Sequence, residues 1–558
     1  MNSLRRLDLS GNKIGGSLQE FDSAMVTVKI SANRLSGTLP CFSSSVRSLE
    51  TLDLSNNAIS GGIPTCMSSL QVLTVLNLSS NNLLYAISPR LVFSKELLVL
   101  DLSSNDLSGP IPIKIAEEGN ERSGIVVLDL SKNVFSGEIP REMTELKGLQ
   151  GLFLSYNRLS GEIPPSIGNL TYLQALDFSH NYLSGQIPGG LTGCFQLWQL
   201  KLDHNNLSGT IRPELDALDS LRILDLGWNN ISGEIPLPLA GCKSLEIVDL
   251  SHNLLSGELN GAIMKWKNLR FLSLAGNRFS GNLPSWIFSF TNLHTINLSE
   301  NEFSGFIPNG DFNASVDFNS ITRDYHYDAI VATIDGGYVV RASINMGGGI
   351  RQAEFNYDMM SEVGIDLSMN SFHGEIPDGL IGLQGLEVLS LSQNYLVGPI
   401  PNTPPVGNFV RMINLKKLDL SSNLLSGTIS LSTILSMQDL KQLNLSHNCL
   451  GVSSEEQQRY PGVFGWNPDE RCPRRSGRGA NSGFPVAASS GEAGGGGKNG
   501  LMLGDGRWEA EDDEGLISPS AFWISAVISF YVSMFVLCCS RPMRTYMFQA
   551  LKKSHVIA

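Results

Sequence analysis

Apolar and polar positions alternate along this chain in a phrase that keeps returning. In Leu149-x-x-Leu152-x-Leu154-x-x-Asn157-x-Leu159-Ser-Gly-x-Ile163-Pro164 the leucines bracket single variable residues, and the phrase restarts at Leu173 and runs to Pro188. A period of two predicts a short strand that sends Leu152 and Leu154 to one face and Phe153 to the other. The asparagine after it returns at Asn181, Asn205, Asn229, Asn253, Asn277 and Asn301, 24 residues apart. Self-similarity at a fixed period of this size marks a stack of supersecondary units rather than one globule.

A unit reading L-x-x-L-x-L-x-x-N-x-L is a leucine-rich repeat, one short strand plus a return segment. One copy cannot bury its leucine stripe alone, so stability is a sum of neighbour interfaces and several copies are needed. Seventeen repeat asparagines occur, the others being Asn12, Asn33, Asn57, Asn81, Asn105, Asn133, Asn370, Asn394, Asn423 and Asn448. Their amides, each both donor and acceptor, are suited to satisfying backbone groups that a tight turn leaves unpaired. The recurring Leu-Ser-Gly-x-Ile-Pro at Leu107–Pro112, Leu159–Pro164 and Leu183–Pro188 resembles the plant-specific form of the repeat. That resemblance implies an α/β-type solenoid, a right-handed curved superhelix with a parallel concave sheet and an extra strand on its convex side. Seventeen strands about 4.8 Å apart predict an arc of about 80 Å.

Breaks in the period set the domain plan. From Asn301 to Asn370 the interval is 69 residues. The chain is thus read as repeats 1–13 over residues 1–308, an inserted module over 309–361, and repeats 14–17 over 362–450. A C-terminal cap over 451–473, a Gly-rich and acidic stalk over 474–515, a membrane helix over 516–539 and a short basic tail over 540–558 follow. Within the insertion, Ile330–Ile334 and Gly337–Arg341 predict two extended runs around Asp335-Gly336. Tyr325, Tyr327, Tyr338 and Tyr357 accompany them, and the module is expected to be functional. A smaller irregularity at Asn402-Thr-Pro-Pro-Val-Gly is read as a loop.

Leu516–Cys539 carries no charged residue and as a helix spans about 36 Å, enough for a hydrocarbon core of about 30 Å. Acidic residues precede it, and Arg541, Arg544, Lys552 and Lys553 follow, which predicts a cytosolic tail, extracellular repeats and a single-pass type I plasma-membrane protein. Ala521, Ser525, Ser529 and Ser533 form a small-residue stripe on this helix, a candidate contact for a partner helix. Sequons at Asn77, Asn169, Asn206, Asn230, Asn297, Asn313 and Asn444 are candidate glycosylation sites, with Asn169 and Asn313 foremost because they fall outside the strand phrase. Cys449 and Cys472 flank the end of the repeats and suggest a closing disulfide; Cys41 and Cys66 in neighbouring repeats are a second candidate pair. Cys194 and Cys242, two repeats apart, are too distant to bridge and read as buried fillers. The opening Met1-Asn-Ser-Leu4 begins inside a repeat without a signal sequence or cap, from which an N-terminally truncated form of a longer secreted precursor is expected.

The net charge of −13 brings no basic stripe for nucleic acid and does not favour anionic ligands globally. No phosphate loop, His/Cys metal spacing or kinase domain is found, so neither enzyme, cofactor nor metal is predicted. Contact residues must come from the variable positions between the leucines. The position before each asparagine reads Tyr156, His180, His204, Trp228 and His252, a ridge of about 20 Å suited to an extended peptide. Beside it run Phe153, Asp177, Lys201, Asp225 and Asp249. The ligand-binding candidates are Phe153, Tyr156, His180, Lys201, His204, Trp228 and His252; the alternative is that such residues are merely tolerated on the surface.

Plant-type repeats, an insertion four repeats before the end, a Cys-closed cap, an acidic stretch, one membrane helix and a short basic tail together resemble the plant receptor-like proteins. Asn444-Leu-Ser-His-Asn448-Cys449, Tyr460-Pro-Gly-Val-Phe464, Asn467-Pro-Asp-x-x-Cys472 and Gly364-Ile-Asp-Leu367 are similar to the Clavata-two class, which includes the fasciated-ear proteins of cereals. That resemblance implies a kinase-less co-receptor for a secreted peptide in shoot stem-cell control, acting through receptor kinases or pseudokinases. A defence receptor-like protein sensing microbial elicitors would share the architecture, and an extracellular enzyme-inhibitor repeat protein would share the repeats.

Overall fold

The structure, a computed structural model, describes most of residues 4–464. Outside the described residues lie 21–24, 43–47, 114–122, 428–438, parts of 310–362, 402–413 and 452–460, and everything from 465 onward. The chain divides after Ser476, and the second unit, Gly477–Ala558, is not described. Leu516–Cys539, its stripe Ala521, Ser525, Ser529 and Ser533, the stalk, Cys472, Asn313 and the loop at 402–407 therefore lie outside the described residues. Among those described, no helix is long and apolar enough to cross a membrane.

Each repeat contributes a three-residue strand to a first sheet of seventeen parallel strands and a second strand just after the asparagine. Gly151–Phe153 pairs with Val127–Asp129 before it and Ala175–Asp177 after it, in register, so that Leu128, Leu152 and Leu176 form one row. Arg158–Glu162 likewise sits between Val134–Glu138 and Tyr182–Gln186 in a second parallel ladder. Between these ladders the leucine stripe is continuous, with Leu152, Leu154, Leu159 and Leu176 fully buried. Where the consensus leucine is replaced by phenylalanine the rings continue the stack: Phe279, Phe303 and Phe372 lie 6.2 and 6.3 Å apart, nearly parallel.

The return segments depart from an α/β-type reading. Pro165–Asn169, Gly189–Gly193, Pro213–Ala217 and Leu237–Gly241 are 3-10 turns, and the α-helices described are single turns such as Pro89–Val92 and Asp378–Ile381. The phrase leaves only about five residues between Ile-Pro and the next leucine, too few for a helix that propagates. Cys194 and Cys242 are free and buried, and they occupy one equivalent position. There the thiols donate to the carbonyls of Ile167 and Leu215, and Trp266 donates its indole N–H to Leu239 in the same way. A donor at this position caps the 3-10 turn of the repeat before it.

The asparagine has the role its chemistry suggests. Asn181 Nδ2 donates to Leu154 O, Phe178 O and Ser179 O at 3.0, 3.1 and 3.1 Å, and its Oδ1 accepts from Leu159 N at 3.0 Å. Two of these four contacts cross to the preceding repeat. Asn12, by contrast, is exposed and reaches only the carbonyls of Leu9 and Ser10.

The first sheet continues across the insertion, because Thr295–Asn297 pairs directly with Gly364–Asp366. Inside it, Ile330–Ala332 and Tyr338–Asn345 pair antiparallel. A third strand, Ile350–Tyr357, which the sequence reading left out, pairs with the second. The alternation Ala353-Glu-Phe355-Asn-Tyr357 was the signal that could have found it.

Asn181→Ala leaves buried backbone groups of two repeats without partners, and an expected loss of about 3 kcal/mol follows. Asn12→Ala is expected to cost well under about 1 kcal/mol by the same principle. Denaturant midpoints of the two variants check this; equal midpoints would show that the inter-repeat contacts contribute nothing.

Candidate ligand-binding face

The residue before each repeat asparagine has a left-handed backbone: φ is +54° at Tyr156, +52° at His180 and His204, +53° at Trp228 and +50° at His252. For a non-glycine residue this costs about 1 kcal/mol or more, and the asparagine's contacts hold it in place. Repeating one unusual backbone angle every repeat aims each side chain the same way. The five rings consequently stack. Tyr156 and His180 are 3.9 Å apart, His180 and His204 4.0 Å, His204 and Trp228 5.4 Å, and Trp228 and His252 3.8 Å, with interplanar angles of 16–27°. Lys132 places its ammonium 5.9 Å from the Tyr156 ring at one end. At the other end Gly276 makes room, because a Cβ there would stand 2.5 Å from His252 Nδ1. Tyr156 and Trp228 remain 49% and 51% exposed, so the ridge presents aromatic surface to solvent.

The neighbouring column does not behave as its alternation suggests. Phe153 does lie on the face away from the main core, but it is 5% exposed, packed with Val127, Ala175 and Trp198. Its ring folds back over Gly151, where a Cβ would meet Phe153 Cε2 at 2.9 Å. As a ligand contact Phe153 is therefore corrected to a packing residue. Trp198 bridges this cluster to a second one of Ile223, Ile247 and Phe271, forming an apolar strip along the strand starts. Sequence reasoning missed that strip; reading the column Val127, Ala175, Ile223, Ile247 and Phe271 at the first strand position would have found it.

Lys201 is half-buried between Asp177 and Asp225 in register. Burial alone would lower its pKa, but the carboxylates of Asp177, Asp203 and Asp225 outweigh that and push it up to about 12. Arg222 Nε donates to Glu246 Oε1 at 2.6 Å, and Arg270 approaches the other oxygen at 3.7 Å. Between the ridge rings lies Asp203, whose Oδ2 is 3.0 Å from His204 Nδ1 and 3.7 Å from His180 Nε2. The 24-residue spacing hides that cluster from any short metal motif, and the sequence reading had predicted none.

Of the sequons described, Asn169, Asn206 and Asn230 are exposed. Asn77, Asn297 and Asn444 are half-buried on first-sheet strands, where their Oδ1 atoms accept from Ser79, Ser299 and Ser446. Cys41 and Cys66 are joined with their Cα atoms 5.9 Å apart. Cys449 is disulfide-bonded too.

A family model described as a leucine-rich repeat region matches residues 126–305, and further leucine-rich-repeat models match 1–17, 23–83 and 414–434. Over 200 residues the chain is 45% identical to receptor-like protein CLAVATA2 of Arabidopsis thaliana. The chain is built of leucine-rich repeats and is similar to a plant receptor-like protein, CLAVATA2. That match covers 36% of this chain and 25% of the length of its relative. Among solved structures it is similar to the plant peptide hormone receptor RGFR1 in complex with RGF2, at 28% identity, a TM-score of 0.56, and 82% and 77% coverage of the two chains. It is similar also to the Arabidopsis receptor kinase HAESA in complex with the peptide hormone IDA and the co-receptor SERK1, at 29% identity, a TM-score of 0.52, and 81% and 83% coverage.

The turn serines add an electrostatic consequence. Asp101 and Asp129 are register neighbours in the first sheet, each accepting from a serine two residues on. Burial first, and the Asp101 charge second, raise Asp129 to about 7 from an ordinary 3.8. Between about pH 4 and 7 the folded chain therefore holds a proton that the unfolded chain has released, so this pair's contribution to stability falls as pH rises through that window and levels off above it. Asp129→Asn is expected to melt with the wild type near pH 4 and above it at pH 8; parallel melting curves at both pH values would contradict the shift.

Proposed function

We propose that this receptor-like protein is a cell-surface, kinase-less co-receptor that holds an extended secreted peptide along the ridge from Tyr156 to His252. The observation that carries the reading is the run of five stacked rings with Tyr156 and Trp228 half-exposed. Exposed aromatic groups on a rigid scaffold supply large contact area at little entropic cost, which is why Trp and Tyr dominate binding hot spots. Support comes as well from the structural relatives, whose descriptions name peptide hormones as their ligands. His180, His204 and His252 offer donors and acceptors along the ridge, and Lys201 with its flanking aspartates offers charge beside it.

The rest of the reading rests on sequence. Leu516–Cys539 would anchor the chain in the plasma membrane with glycosylated repeats outside, and Ala521, Ser525, Ser529 and Ser533 would meet the helix of a receptor kinase or pseudokinase. Control of shoot stem-cell number is the process that the similarity to CLAVATA2 favours.

The test uses the full-length protein purified from plant membranes, titrated with candidate developmental peptides and with microbial elicitors, and compared with Trp228→Ala and Tyr156→Ala. Each substitution is expected to weaken binding of a developmental peptide by at least about tenfold, a loss of about 1.4 kcal/mol. Unchanged affinity in both variants removes the ridge as the binding surface, and binding of elicitors alone moves the protein to defence. Mass spectrometry of co-purifying kinases identifies the partner.

A further inference from the structure

The turn residue two positions before the repeat asparagine is serine in most repeats, as at Ser131, Ser155, Ser179 and Ser251. Where an aspartate ends the strand, as before Ser131, Ser179 and Ser251, the serine's hydroxyl or N–H donates to it, Ser179 Oγ to Asp177 Oδ1 at 2.6 Å. One repeat reverses this chemistry. Lys201-Leu202-Asp203-His204-Asn205 puts a cation where the aspartate belongs and a carboxylate where the serine belongs. The repeat has no need of a carboxylate at that position, since its asparagine makes the usual bonds without it.

Asp203 is 6% exposed and sits between two imidazoles contributed by adjacent repeats. Its Oδ2 is 3.0 Å from His204 Nδ1 and 3.7 Å from His180 Nε2. Its Oδ1 is buried and has no hydrogen-bond partner, a costly arrangement for a carboxylate oxygen in the absence of a ligand. One ligand atom from each of the three side chains lies within 4.8 Å of the other two. Two ligand atoms about 2.0–2.1 Å from a tetrahedral zinc ion lie about 3.4 Å apart, a value that the two observed separations bracket.

We propose that His180, Asp203 and His204 form a divalent transition-metal site of the zinc type on the ridge, with its fourth position open. Two imidazoles and one carboxylate are a donor set that zinc takes with three protein ligands and one water. Both histidine side chains are partly exposed, at 29% and 41%, so the rings can turn about χ2 to share the ion. Lys201 does not veto the site, because Asp177 and Asp225 flank it on either side and leave the local field negative. The open coordination position faces the surface on which Tyr156 and Trp228 stand, so a bound ion would add a Lewis-acidic contact to the ridge for a histidine or carboxylate of a partner. The metal site does not require the peptide reading to be right, since the ligands are complete within this chain.

The test is titration of the tag-free, full-length protein in detergent with ZnCl2 by calorimetry, and with CoCl2 by visible absorption. One ion per chain in the micromolar range is expected, with the intense d–d bands of tetrahedral cobalt. His180→Ala, His204→Ala and Asp203→Asn are each expected to weaken zinc binding by at least about tenfold. Asp203→Asn keeps the side chain's shape, and its melting curve guards against loss of fold. Wild-type protein that binds no stoichiometric zinc, cobalt spectra of the octahedral aqua type, or stoichiometric binding unaffected by all three substitutions would each overturn the proposal. A peptide titration repeated with and without zinc keeps the two readings separate, because peptide binding can persist or fail independently of the ion count.

Discussion

Every repeat depends on one side-chain amide. The Nδ2 of Asn157 closes the turn of its own repeat and reaches Leu130 O in the repeat before it, while its Oδ1 takes the N–H of Phe135 from that same preceding repeat. An aspartate in its place would accept but not donate, and a leucine would do neither. Because the amide fixes the backbone on both sides, the residue before it is forced into the left-handed region whatever its identity: Ser80, Ser104, Lys132, Tyr156, Glu300, Met369 and Gln393 all have φ near +54°. The turn therefore dictates a side-chain direction and leaves the side chain itself open.

That separation explains what the sequence disclosed. The period locates every strand, and the inward leucines are visible because their burial is decided by the strand's own alternation. The stacked ridge was legible for the same reason, as equivalent positions in a register-locked array must be neighbours. Burial of Phe153 was not, because it depends on the absence of a side chain at Gly151 and on Trp198 leaning across from two repeats away. The form of the return segments was not legible from composition, because their length decides between a 3-10 turn and an α-helix.

The His180, Asp203 and His204 cluster was hidden for a related reason. Motif reading looks for ligands a few residues apart, whereas a solenoid assembles them one period apart, so His180 and His204 are distant in sequence and 4.0 Å apart between ring centres. The sequence signal exists, as a departure from the repeat's own turn chemistry at Asp203. In an array whose consensus residues serve architecture, a non-consensus polar residue at a nearly buried position is the informative one. Trp266 and the two buried cysteines show the complementary case: the cysteines read as fillers in the sequence, and all three side chains donate to 3-10 turns of the repeat before them.

Recognition on such a surface is helped by how little has to be ordered. Each ridge ring stacks on at least one neighbour and rises from a backbone that cannot relax without breaking the asparagine's bonds, so its range of directions is already narrowed in the free protein. A ligand that stacks on or beside them then meets a pre-organised face, and less of its interaction energy is consumed in ordering the receptor. Lysine and serine at the same turn position in earlier repeats would offer no such rigidity, because neither side chain stacks on its neighbours. The stretch from Tyr156 to His252 is thus set apart from the rest of the array by its stiffness as much as by its chemistry, and both follow from a turn that repeats one backbone angle.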